Sequence, residues 1–71
     1  MKELINDLIQ KSGLSNEEFA KAIGISPTHL SNKKNLRHVN VKTLVSWCRI
    51  VKVWSIESNK DDHYVKINVK F

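Results

Sequence analysis

The sequence lacks most of what a stapled, membrane-embedded or catalytic protein needs. Cys48 is the only cysteine in 71 residues, so no internal disulfide and no multi-cysteine metal site can hold the fold. No run approaches the ~20 apolar residues of a membrane span. The start, Met-Lys-Glu-Leu-Ile-Asn-Asp, has no apolar signal-peptide core. A cytoplasmic protein with no membrane partner is the expectation. There are 2 glycines and 1 proline, and both glycines fall where helices end, which leaves none for a phosphate-cradling loop. A chain this short buries only roughly 60% of the surface its unfolded state exposes. That excludes a large catalytic cleft and predicts one small domain over residues 1–71, stabilised by packing alone or against a partner subunit.

Acidic residues are also missing from the middle of the chain. Lysine and arginine number 12 against 7 aspartate and glutamate, a net +5, but none of the seven lies between Glu18 and Glu57. Lys21, Lys33, Lys34, Arg37, Lys42, Arg49 and Lys52 all fall inside that gap. A polyanion meets no repulsion there; the plainer reading is a solvated basic surface. His29, His38 and His63 have no metal-ligand spacing, and Asp61 with Asp62 reads as a solvated turn. No enzyme activity, metal or cofactor is expected.

What the chain does have is helix punctuation. Leu4, Ile5, Leu8 and Ile9 recur at helical spacing before Gly13, predicting a helix over about 2–11. Ser15 and Glu18 form a capping box, with Leu14 and Phe19 spaced as a hydrophobic staple, for a second helix over 16–23 that Gly24 ends. Ser26 as N-cap and Pro27 at the first position open a third over about 27–34, with Ile25 and Leu30 as staple. Asn40 caps a fourth over about 41–51, with Val39 and Leu44 as staple. Its buried face is expected to hold Val41, Leu44, Cys48 and Val51, with Val45 and Trp47 at the flanks.

Beyond Lys52 the period becomes two. The run 53–57 and the alternating run 64–70 predict strands, with the polar segment 58–62 as the turn. Two arrangements fit: an intrachain hairpin, or one strand pairing across a dimer axis, since an isolated hairpin is marginal and a terminal strand leaves an open edge. The fold class is therefore mainly α (α+β), four helices followed by a C-terminal hairpin or strand. Trp54 is expected in the core or at an interface.

The second and third helices, joined by Gly24-Ile25-Ser26, have the form of a helix-turn-helix. The run from Leu14 to Ser31, with Val39-Asn-Val-Lys-Thr-Leu44 after it, resembles the phage repressor and Cro type of helix-turn-helix protein over about residues 2–53. The resemblance implies a bacterial or phage transcription regulator that binds a double-stranded DNA operator, with the helix 27–34 in the major groove. It implies that Asn16 holds a phosphate and that Pro27, Thr28, His29, Ser31 and Asn32 lie at the groove. Asn32 suits adenine, whose N6 and N7 an amide can pair together. Lys33, Lys34, Arg37 and Lys42 suit phosphates.

The pattern departs from that family at two points. Lys33 stands where an apolar residue is usual, with Leu36 as its replacement. The recognition helix also has no arginine, the strongest guanine reader. A protein-directed role is the second hypothesis. Small phage proteins of this kind, modulators of repression or antirepressors, cover a partner repressor with the same surface. Leu36, Trp54, Ile67, Val69 and Phe71 are the candidate apolar interface residues, and the C-terminal strand the candidate homodimer contact.

Overall fold

A computed structural model gives the architecture, described here for residues 2–35, 40–60 and 63–69. Four helices, α1 (Lys2–Ser12), α2 (Asn16–Ile23), α3 (Pro27–Asn35) and α4 (Val41–Val51), precede two strands, β1 (Ser55–Lys60) and β2 (His63–Asn68). The strands pair antiparallel, with Ile56 opposite Ile67 and Lys60 opposite His63. The intrachain hairpin is thus the arrangement adopted. Leu36, Arg37, the Val39 half of the third staple, Asp61, Asp62 and Phe71 lie outside the described residues.

Helices α2, α3 and α4 each start where a side chain satisfies a free N–H group. Ser15 Oγ accepts from the Glu18 N–H at 3.1 Å, and Glu18 Oε1 accepts from the Ser15 N–H at 3.1 Å, completing the capping box. Asn40 Oδ1 accepts from the Lys42 N–H at 2.9 Å. Helices α2 and α4 end alike. The Gly24 N–H reaches Lys21 O and the Ile25 N–H reaches Ala20 O; the Lys52 N–H reaches Arg49 O and the Val53 N–H reaches Cys48 O. Both pairs are Schellman closures, which require a left-handed residue after the helix. Gly24 takes φ 82° without strain, whereas Lys52 takes φ 58° despite its Cβ.

That closure corrects the strand assignment. Val53 is buried as the apolar residue that follows the Lys52 cap and packs back on the helix, so β1 begins at Ser55. Residues 58–60, expected in the turn, extend β1 instead. Within α4, Trp47 is in the core and Val41 is exposed, because the first turn of the helix lies beyond the packed layer.

The core joins the four helices and β1: Leu4, Ile5, Leu8 and Ile9 from α1, Phe19 and Ala20 from α2, Leu30 from α3, Leu44, Trp47 and Cys48 from α4, and Ile56 from β1, with Val53 before β1 and Val69 just after β2. Phe19 meets Trp47 edge to face, centroids 6.0 Å apart at 81°, the geometry aromatic quadrupoles favour. A polar clasp fastens the hairpin to α1. Asp7 Oδ2 accepts from the Glu57 N–H at 2.8 Å, Lys11 Nζ donates to the Ser55 carbonyl at 3.0 Å, and the two side chains pair with each other at 3.0 Å.

Two predictions follow from the caps. Lys52→Gly should raise stability by about 0.5–1 kcal/mol, since relief of the left-handed strain exceeds the added chain entropy; denaturant midpoints with unchanged m-values check it. Hydrogen bonds from the Ser15 backbone and hydroxyl hold the Glu18 carboxyl below its ordinary range. A depressed carboxylate stabilises the fold above its unfolded pKa, and that contribution disappears as the pH falls through the folded value. Between about pH 7 and pH 3, the melting temperature of Glu18→Gln should therefore fall less steeply than that of the wild type.

Candidate nucleic-acid interface

Helix α3 is held in place at its start and by one side chain. Ser26 Oγ accepts from the His29 N–H at 3.1 Å, the Ser26 carbonyl accepts from the Leu30 N–H at 3.0 Å, and Pro27 supplies a φ already suited to a first helical turn. Leu30, 1% exposed, is the one buried side chain of the helix. With Leu30 inward, 100° per residue carries Thr28, Asn32 and Asn35 to the opposite face, with Ser31 on one flank and His29 on the other. All five are exposed. Lys33 and Lys34 straddle Leu30 and are half-buried, so their stems lie along the body of the domain and their ammonium groups reach outward from its sides.

The structure therefore brings Thr28, Ser31 and Asn32 onto one outward stripe and adds Asn35, which sequence reasoning missed because it stopped the helix at residue 34. The signal was present: Asn35 stands three residues after Asn32 and seven after Thr28, the spacing of one helical face. Asn16 is exposed as the first residue of α2, immediately after the Ser15 cap, and Lys42 is exposed in the first turn of α4. Neither α3 nor α4 has an acidic residue in its first turn.

The expected apolar interface residues separate. Val69, 6% exposed, belongs to the chain's own core, and Ile67 packs half-buried against it. Trp54 is 62% exposed and borders a shallow pocket with Lys11, Lys52, Val53 and Ser55. Ile56, two residues on, is fully buried, so the two do not form one buried strand face. Burial pushes the Cys48 thiol up from its usual range, as befits a small core residue. Among the described residues no group of three His, Cys, Asp or Glu side chains could hold a metal, and no helix is long and apolar enough to cross a membrane.

A pair of short helices hinged at Gly24, the second anchored by Leu30 and presenting a polar face free of acid, places the chain among helix-turn-helix proteins. The model of the XRE-type helix-turn-helix family matches residues 5–53, from α1 to the residue after the Lys52 cap, and the chain belongs to that family. It is a family of DNA-binding transcription regulators, generally without enzymatic activity. Neither the curated proteins nor the solved structures contain a match.

Proposed function

We propose that the chain is a sequence-specific transcription regulator of the Cro type that lays α3 in the major groove of operator DNA. One observation carries this reading: the face of α3 opposite Leu30 is polar and exposed, within a stretch that has no acidic residue from Phe19 to Ile56. A major groove about 12 Å wide admits one helix. In this pose Thr28, Ser31 and Asn32 face base edges, with Pro27 and His29 at the entry of the helix. Asn16, Lys33, Lys34, Arg37 and Lys42 hold phosphates and set the register.

The hairpin supplies a two-fold contact for paired half-sites. The Val69 N–H donates to Trp54 O at 2.7 Å, and the Glu57 N–H turns away to Asp7. The ladder alternation then points the N–H and C=O groups of Tyr64, Lys66 and Asn68 away from β1. The outer edge of β1 is clasped by α1, whereas among the described residues that of β2 has no partner, beside Tyr64 and the 44%-exposed Val65. Antiparallel pairing of β2 with β2 of a second copy is self-complementary. A second reading, an antirepressor that covers a repressor's DNA-binding domain, draws support from the α3 stripe itself, which carries no charge and suits a protein surface.

Titrating the purified chain with its neighbouring intergenic DNA, with and without the cognate repressor, separates the two. On the DNA reading a sequence-dependent complex forms at low salt. Lys34→Ala then weakens all duplexes alike and lowers the slope of log K against log salt by about 1. The absence of sequence dependence together with a tight repressor complex would establish the antirepressor instead. For the dimer, Lys66→Pro removes only an outward N–H. It should yield a monomer by sedimentation with the melting temperature nearly unchanged; a wild type already monomeric where it saturates DNA overturns strand pairing.

A further inference from the structure

Polar side chains in this chain differ in what they do, and the exposed Asn6, Gln10, Asn16 and Ser46 resemble those of α3 in having no partner among the described residues. Ser12, Ser15, Ser26 and Asn40 each spend a side chain on a nearby backbone group. Thr28, Ser31, Asn32 and Asn35 do not: among the described residues none of these four side chains has a hydrogen-bond partner. Serine, threonine and asparagine are weaker helix formers than alanine, lysine or glutamate. Four of them in a helix of 9 residues, all facing out and all idle, reduce its stability without a structural return.

Resting on the DNA-binding reading above, we infer that this stripe selects a half-site whose core is A·T base pairs, read by the Asn32 and Asn35 amides and the Thr28 methyl group. An asparagine amide donates to adenine N7 and accepts from the N6 amino group at once. Guanine presents two acceptors, N7 and O6, at the same edge, so the amide carbonyl would face O6 with no proton between them. The thymine methyl offers the Thr28 methyl an apolar contact in the groove, and the Ser31 hydroxyl adapts to either partner. The groups that favour guanine are absent from the stripe. No arginine occurs in α3, Lys33 and Lys34 lie beside Leu30 on the flanks, and His29 is about a quarter turn away. From Thr28 to Asn35 the helix rises roughly 10.5 Å, the length of about three base-pair steps. The recognised core is therefore about four consecutive pairs.

The test is selection of bound duplexes from a random pool by the full chain, followed by titration of the selected site. The expected core is A·T over about four consecutive pairs. Asn32→Ala and Asn35→Ala should each lose about tenfold preference, at two different pairs. Circular dichroism of both variants should stay helical, since alanine is the better helix former. Replacing N7 of the contacted adenine by carbon should weaken the wild type by a similar factor and leave the matching alanine variant unaffected. A guanine-dominated core, a guanine requirement that disappears in Arg37→Ala, or DNA binding with no enriched sequence each overturns the inference while leaving DNA binding intact. Failure to retain any duplex at low salt overturns the DNA-binding reading itself, and this inference with it.

Discussion

Everything that α3 presents depends on Leu30. The other helices enter the core through two to four side chains each, but α3 enters through one. Leucine-to-alanine changes in cores remove about 2–5 kcal/mol, comparable to the whole margin of a small domain. That one contact therefore fixes the rotation of the helix about its axis. A rotation of 100°, one residue's worth, would exchange the amide stripe for His29 or Ser31. The start of the helix supplies the second constraint. Ser26 and Pro27 set its first turn and Gly24 its angle of departure from α2, so that a short helix with little apolar surface still has a defined pose.

The hairpin solves a different problem with polar groups. Two strands alone are marginal in water, and these place only Ile56 fully in the core, with Val69 buried just beyond β2. Asp7 and Lys11, one turn apart on α1, take the Glu57 N–H and the Ser55 carbonyl on the outer edge of β1, and no described residue does the same for β2. This is an asymmetry of pairing, not of hydrophobicity, because both strands are polar on their outer face. Tyr64 on β2 donates to Glu57 Oε2 at 2.6 Å across that face, and this bond to a carboxylate keeps the phenol protonated above its usual range. That bond ties the two strands together across the outer face, while the outward backbone groups of β2 have no partner among the described residues.

The helices were legible in the sequence because their signals are local. Capping boxes, staples and the turn glycine act over three to five residues, and each observed helix falls within about one residue of its expected span. What was not legible depends on contacts remote in sequence or on rare backbone states. Lys52 adopts a left-handed cap that its side chain does not advertise, and this hid the end of the α4 closure and moved β1 by two residues. The clasp joins Asp7 and Lys11 to backbone atoms 50 and 44 residues away, with no periodicity to betray it. Alternation also told which face of β2 turns inward but not how far the core extends along it: Val69 is buried, Ile67 half-buried and Val65 exposed. For the candidate site the family resemblance pointed to Thr28, Ser31 and Asn32, but it also pointed to His29, which the phase set by Leu30 puts on the flank, and it missed Asn35 with the end of the helix.

The division of labour between charge and polarity explains a composition that first looks contradictory. A net +5 concentrated beyond residue 32 attracts any polyanion, and that attraction weakens steeply with salt and is indifferent to sequence. The α3 stripe is uncharged and contributes little to such attraction, but its exposed side chains carry donors and acceptors that have no partner among the described residues. Placing lysines on the stripe would have raised affinity for every duplex equally, because an ammonium is a point charge that phosphates satisfy as well as bases do. Confining them to the flanks of Leu30 and to the start of α4 keeps the attraction at the rim and leaves the centre to groups whose hydrogen bonds have direction. On the proposed DNA reading the missing arginine of α3 is part of the same arrangement, because it would withhold guanine recognition and general phosphate affinity together and leave discrimination to the amides.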